Sequence, residues 1–417
     1  MYFIVLGVTL LAWPQAIPPA QDAAAAQRIV LRDAVRLALE HHPEVRTADA
    51  DRRAAEAALL EAKTYPFNPE LSVETGPSRS PERSGADASV SLRQTVELGA
   101  KRSKRVAVAT ARLGAETARY SWSRLGVAVR VRKAYGLAIL ARHRVVSSRE
   151  AEAISSELKA AAEERLRLGA GTLLELNVAT AAAGRARAER LSSELGLQEA
   201  QIALGAAVGD PRRPELEPVE DQLPRFAAIL EDENAFVERA LAARPDLDAA
   251  KREAEAASAG LRFADSVAVP DLTLGLTQGH ESQDESRSTI FGVSIPLPLF
   301  NRNQGPRAAA RAALYRSSAQ EDAVRQAVAR DARAAYRRYT LTRQAVEGFD
   351  QDVVGKLGEN LALALQSFQA GKIGLLEFNI VRRELVETRL AFLGAERELV
   401  EAQAALELAA GAPLETP

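Results

Sequence analysis

Along this chain the apolar and polar positions switch between two periods. Leu71, Val73 and Thr75 alternate with Ser72 and Glu74, and Ala88, Val90 and Leu92 alternate with Ser89, Ser91 and Arg93. The pattern returns at Leu272, Leu274 and Leu276, and again at Phe291, Val293, Ile295 and Leu297. Period two marks a strand with one apolar face. Strands are therefore predicted near 69–77, 88–97, 270–279 and 289–298, paired as hairpins across the polar loops SRSPERSGAD and HESQDESRS. From Gly99 to Leu168, and again over 307–370, the sequence holds no proline and almost no turn chemistry. At ~1.5 Å per residue each stretch predicts a helix about 100 Å long, too long for one chain of this size to bury. Each helix meets a tight break, Leu168-Gly169-Ala170-Gly171 or Ala370-Gly371-Lys372, and a second helix then returns to Gly209 or Gly411. Gly169 and Gly371 suit left-handed C-terminal caps. The turns predict helical tips at 165–176 and 367–378, at the far end from the β-hairpins.

These elements come twice. The segment LRDAVRLALEHHPEVRTADADRRAAEAAL (31–59) is echoed by FVERALAARPDLDAAKREAEAASAGL (236–261), with Pro43 answered by Pro245. Gly169, Leu174, Glu175 and Asn177 match Gly371, Leu376, Glu377 and Asn379 at a constant spacing of 202. The chain is thus read as a first repeat over 27–209, a proline-rich linker over 210–232 and a second repeat over 233–417. Each repeat opens with a helix broken at its proline, which lacks an amide donor and disfavours helical geometry in the preceding residue. The fold class is mainly α with a small β part, internally duplicated.

Composition narrows the reading. Aromatic residues make up 5% of the 417 and Met occurs once, which suits long Ala-rich helices better than a large globular core. Formal net charge is −2 with basic residues scattered, so there is no nucleic-acid footprint. With no Cys, disulfides, thiolate metal sites and a lipid-acceptor cysteine are excluded. Residues 1–26 hold an apolar run from Phe3 to Trp13, of signal-peptide core length but too short to span a bilayer as a helix.

No catalytic constellation emerges. The four histidines, His41, His42, His143 and His280, never pair on one helical face, and His280 with Glu281, Asp284 and Glu285 reads as a solvated loop. No cofactor or resident metal is expected, and no enzyme. The alternating strands are long enough to cross an outer membrane when tilted, or they form half-exposed hairpins packed on helices. Four strands cannot close a barrel, whereas three chains giving twelve can.

The two tip segments, ERLRLGAGTLLELNVA (164–179) and QSFQAGKIGLLEFNIV (366–381), resemble the helix-turn-helix tip of the TolC-like outer-membrane factor family. Arg165, Leu166, Gly169, Thr172 and Glu175 fit the family pattern, whereas the second copy has Ser367-Phe368 in place of Arg-Leu and Gly374 in place of the hydroxyl residue. PLPLFNRNQG (Pro296, Pro298, Phe300, Asn301, Asn303, Gly305) and VELGAKR (96–102) are similar to the strand-to-helix corners of the heavy-metal, cobalt-zinc-cadmium type branch. There prolines would end strand pairing, and Asn301 or Asn303 would cap the incoming helix.

The resemblance implies a homotrimer in the outer membrane of a Gram-negative bacterium. It would have a twelve-stranded β-barrel in lipid and a helical α-barrel across the periplasm. The tips, through Arg165, Leu166, Gly169, Thr172 and Gly371, would meet a periplasmic adaptor (a membrane fusion protein) and through it an RND-type inner-membrane pump. The passive duct would carry heavy-metal cations. Drug or organic efflux, type I protein secretion, and a non-transporting periplasmic scaffold or adaptor are the competing readings. Under three-fold symmetry Glu377 and Glu175 would form carboxylate rings at the narrow end, a gate for cations. Each is equally a first-turn carboxylate favoured by the helix macrodipole. The family's second tip carboxylate is replaced here by Ile380.

Overall fold

The computed structural model describes residues 27–79, 84–223, 231–282, 286–349 and 356–413. The predicted signal segment lies outside them. In chain order the elements are β1 (Gln27–Ile29), α1 (Leu31–His41), α2 (Pro43–Lys63), β2 (Glu70–Arg79), β3 (Ser84–Val96), α3 (Lys101–Arg167) and α4 (Leu173–Val208). They continue with β4 (Leu216–Pro218), α5 (Glu233–Ala243), α6 (Pro245–Val267), β5 (Leu272–Glu281), β6 (Ser286–Ser294), α7 (Gln304–Glu347), α8 (Leu357–Gln369) and α9 (Leu375–Ala410).

The proline breaks fall where the ring dictates. Pro43 and Pro245 each occupy the first turn of a new helix, and the preceding His42 and Arg244 are extended. The two returning helices end on left-handed glycines, Gly209 (φ 73°) and Gly411 (φ 75°). These caps sit tightly on the proline breaks: a Cβ on Gly209 would meet His42 Cδ2 at 2.7 Å, and one on Gly411 would meet Arg244 Cα at 2.7 Å. The duplication therefore extends to a packing contact.

Two equivalent cores hold the helices at mid-height. In the first repeat Ile29, Ala34, Val131, Ile139 and Leu204 surround Tyr135, whose hydroxyl donates to the Ile29 carbonyl at 3.0 Å. In the second, Phe236, Leu247, Val328 and Leu406 pack with Tyr336 nearby, and its hydroxyl donates to the Glu231 carbonyl at 3.0 Å. The repeats are joined along α3, which packs against α2 and α4 of its own repeat and against α6 and α9 of the other. Ion pairs cross that seam. Arg132 pairs with the fully buried Glu407, Lys101 Nζ reaches Asp271 at 2.7 Å, and Arg244 lies over the Trp122 ring at 5.0 Å.

The four long strands form one antiparallel sheet in the order β2-β3-β5-β6, so the hairpins of the two repeats meet at β3 and β5. Register places Leu71 opposite Leu92, Leu92 opposite Leu276 and Leu276 opposite Phe291. The apolar positions of all four strands thus share one face. On the other face Ser72 and Ser91 hydroxyls lie 2.7 Å apart, and those of Thr95 and Thr273 3.0 Å apart.

Three sequence expectations change. The second long helix is not continuous over 307–370: α7 ends at Glu347, where Gly348 closes it by donating to the Gln344 carbonyl, and α8 begins at Leu357. The fourth strand runs Ser286–Ser294 rather than 289–298, because Pro296 and Pro298 have no amide hydrogen to donate to a ladder. The linker is not wholly irregular: β4 within it pairs in parallel with β1, and Leu216 is fully buried in the first core. The other strands begin or end within a few residues of their expected limits, β3 reaching back to Ser84.

Candidate functional site

Two regions of the fold expose chemistry: the helical tips and the sheet with its corner.

At the first tip α3 ends on Leu168, and Gly169 (φ 73°) turns the chain. Gly169 N donates to the Leu166 carbonyl at 3.0 Å and Ala170 N to the Arg165 carbonyl at 2.9 Å, satisfying the helix end. Thr172 then caps α4: its hydroxyl accepts from Glu175 N at 3.2 Å, while Glu175 Oε2 accepts from Thr172 N at 3.4 Å. The second tip repeats the turn at Gly371 (φ 69°), with Gly371 N bonded to the Phe368 carbonyl and Lys372 N to that of Ser367, both at 2.9 Å. Gly374 has no hydroxyl to offer, so only half the box forms, with Gly374 N donating to Glu377 Oε2 at 3.0 Å. Glu175 and Glu377 are thereby both engaged as helix-start acceptors.

The tips are also brought together. Phe368 and Phe378 are buried with ring centroids 5.9 Å apart, in a cluster with Leu158, Ala162 and Ala179 of the first hairpin and Leu361 and Leu365 of the second. The Arg165 guanidinium lies 5.5 Å from the Phe368 ring centre and donates to the Ala170 carbonyl at 3.1 Å. Phe368 stands where the first copy has Leu166, so the departure from Arg-Leu supplies the surface on which the first copy's arginine rests. Sequence reasoning did not assign Phe368 and Phe378 to the site. Their only signal is apolar spacing about the turn, which any helical hairpin shares.

Higher on the same seam, burial holds the Arg382 guanidinium below its ordinary value, and the like charge of Arg185 adds to the effect. Arg382 Nε is buried without a hydrogen-bond partner among the described residues.

At the other end, the corner after β6 is not capped as expected. Asn303 takes a left-handed conformation (φ 59°) at the start of α7 and makes no side-chain cap. Its amide instead donates to the Ala264 carbonyl of α6 at 2.6 Å, and Asn301 Oδ1 accepts from Asn303 N at 3.0 Å. The residues thus tie two helices at the corner. In the first repeat Ala100 (φ 57°) holds the equivalent place, and Asp271 accepts from Leu98 N at 3.0 Å. Gly305 has open space about it, while Pro296, Pro298 and Phe300 are exposed, Phe300 to 91%.

Among the described residues nothing covers the sheet's apolar face. Leu71 and Val73 are 68% exposed, Val293 70% and Phe291 82%. The edge strands β2 and β6 have no outer partner among the described residues. Among the described residues no group of three or more His, Asp or Glu side chains is arranged to hold a metal ion, and no helix is long and apolar enough to cross a membrane. Asp284 and Glu285, weighed with His280 as a loop cluster, lie outside the described residues.

A sequence family described as outer membrane efflux protein matches the chain twice, over residues 34–210 and 236–412. The chain belongs to that family. It is a channel component of the outer membrane and not an enzyme, and its two copies coincide with the duplicated halves of the fold. It is 24% identical over 385 residues to the cobalt-zinc-cadmium resistance protein CzcC of Cupriavidus metallidurans, covering 92% of this chain and 90% of that one. In structure it is similar to the outer membrane protein VceC of Vibrio cholerae, with TM-score 0.69 and 22% identity over 92% of this chain and 97% of that one. It is also similar to a membrane protein from Pseudomonas aeruginosa, with TM-score 0.75 and 21% identity over 91% and 92%. The fold is TolC-like.

Proposed function

We propose that three copies of this chain close into a passive duct that carries heavy-metal cations out across the outer membrane. The observation that carries the duct is the four-stranded sheet, with a continuous exposed apolar face and two edges that have no partner among the described residues. In water such a sheet would aggregate. In lipid its edges must be paired, and joining β6 of one copy to β2 of the next makes a closed ring of twelve strands. Strands of 10 residues, rising ~3.3 Å per residue and tilted ~40°, span about 25 Å, the height of an outer-membrane apolar band. The apolar face then meets lipid and the serine and threonine face lines water.

Metal cargo is supported by the likeness to a cobalt-zinc-cadmium resistance protein. A deletion strain should lose tolerance to zinc, cobalt or cadmium and regain it from a plasmid copy. Unchanged metal tolerance with new sensitivity to organic toxins would replace metal by drug efflux.

The tips are the surface offered to a periplasmic adaptor and, through it, an RND-type pump. Arg165, Leu166, Gly169, Thr172 and Gly371 gather at the two turns, where the helical backbone is irregular and its residues largely exposed. Photo-cross-linking from Leu166 should capture the adaptor, and capture only from the β-hairpin loops would reverse that orientation. Rings of Glu377 and Glu175 at the same end would favour cations. Glu377→Ala should lower single-channel cation selectivity. Unchanged selectivity would leave both carboxylates as helix caps alone.

A further inference from the structure

α4 has two faces. One is buried against α3 through Ala179, Ala182, Ala186 and Leu204. The other is exposed, yet it carries Leu174, Val178, Leu191, Leu195 and Ile202 at a spacing close to a coiled-coil heptad. An apolar stripe of this period is the seam of a helix pair, and among the described residues no helix covers it. Within the stripe stand two exposed charges two heptads apart, Arg185 in its tip half and Glu199 in its upper half. Among the described residues Arg185 has no carboxylate partner, and the charge acting on Arg382 across the tip seam is that of Arg185 itself. Two guanidinium groups therefore share this level with no acid between them. A charge set in an apolar seam selects partner and register, because every alternative pairing leaves it unmatched.

α8 offers the match. Its exposed side carries Glu359, Leu363 and Gln366, one helical face at i, i+4 and i+7. Glu359 makes no ion pair among the described residues. Arg185 lies twelve residues into α4 and Glu359 ten residues before the end of α8. At ~1.5 Å per residue both stand about 15–18 Å above the tip. α4 runs away from the tip and α8 towards it, so two copies standing side by side present these stripes antiparallel and in step.

We propose that the exposed stripe of α4 docks on α8 of a second copy of this chain, pinned by Arg185 of one copy and Glu359 of the other. The inference rests on the trimeric reading and assigns residues to its periplasmic seam. It also separates the two kinds of seam in the duct. The residues equivalent to Arg185 and Glu359 at the 202 spacing are Glu387 and Glu157, both acidic, so the same pin cannot form with the repeats exchanged.

The chain has no Cys, so an R185C/E359C pair can be tested without background. In detergent micelles, sedimentation fixes the oligomeric state and mild oxidation tests the contact. The proposal expects a trimer, covalent dimers and trimers from the double variant, and neither from the single variants. A trimer that gives no cross-link with either mild oxidation or a short bis-maleimide, or only an internally cross-linked monomer, overturns the pin and leaves the trimer intact. A wild-type chain that sediments as a monomer overturns the trimeric reading and the pin with it. Charge reversal gives a second readout that needs no disulfide geometry. R185E and E359R should each shorten the trimer lifetime on dilution roughly tenfold, from three pins turned repulsive, and the double reversal should restore it. A double reversal as labile as the singles also overturns the pin.

Discussion

Truncating Phe378 to alanine should loosen the two helical tips from each other while leaving the rest of the chain folded. Phe378 is 0% and Phe368 1% exposed, and they pack as a tilted pair between the hairpins, with centroids 5.9 Å apart and ring planes 41° from parallel. Loss of a buried phenylalanine costs about 3–5 kcal/mol, and the aromatic pairing accounts for ~0.5–1.5 kcal/mol of it. Both cores at mid-height, around Tyr135 and Phe236, lie far along the helices and keep their contacts. The penalty therefore falls on local opening of the tip, where it corresponds to a drop of roughly two to three and a half orders of magnitude in amide-exchange protection. Hydrogen exchange followed by mass spectrometry should show that drop in peptides covering 158–162 and 361–368, with peptides covering 127–139 unchanged. The smaller truncation Phe378→Leu keeps an apolar side chain in the cluster, so it should cost less than the alanine variant and retain more of the protection. If the duct narrows at these tips, the alanine variant should also raise single-channel conductance. A tip whose protection falls by less than tenfold would refute the assignment of this cluster as the clasp between the hairpins.

Other expectations follow from the packing and the charges. Glu407→Ala should lower stability by about 3–5 kcal/mol in chemical denaturation, because it leaves Arg132 facing a fully buried site between the repeats. Gly411→Ala should be more damaging than Gly371→Ala in the same assay. Both need positive φ, at about 1–2 kcal/mol for alanine, but only at Gly411 does the new methyl run into backbone, Arg244 Cα at 2.7 Å. Burial lowers the pKa of His42 and of His143 from 6.5. The unfolded chain then binds more protons than the folded one, so their contribution is full above about pH 6.5 and is lost as the pH falls through the folded values. Thermal melts should shift down on acidification below that point, and replacing both by Gln should flatten the slope.

The sequence alone determined everything that depends on period and on backbone chemistry. Alternation put Leu71, Val73, Leu274 and Val293 on one face, freedom from proline made Lys101–Arg167 a single helix, and Gly169 and Gly371 turned the tips through the φ values their lack of a Cβ allows. The duplication was equally legible, because the two copies keep their landmarks in step. What only the tertiary structure decided were the meetings between distant residues. Periodicity does not say which side chain crosses a seam, so Arg165 on Phe368, Arg132 on Glu407 and Asn303 on the Ala264 carbonyl had no signal in the sequence. Pairing also turned Leu216–Pro218 from part of a linker into a strand, since three extended residues acquire a ladder only when another strand, here Gln27–Ile29, lies beside them. The tip carboxylates show the same division. Sequence placed Glu175 and Glu377 one turn past the glycines, and only the folded helix starts reveal that the amides of Thr172 and Gly374 already hold them.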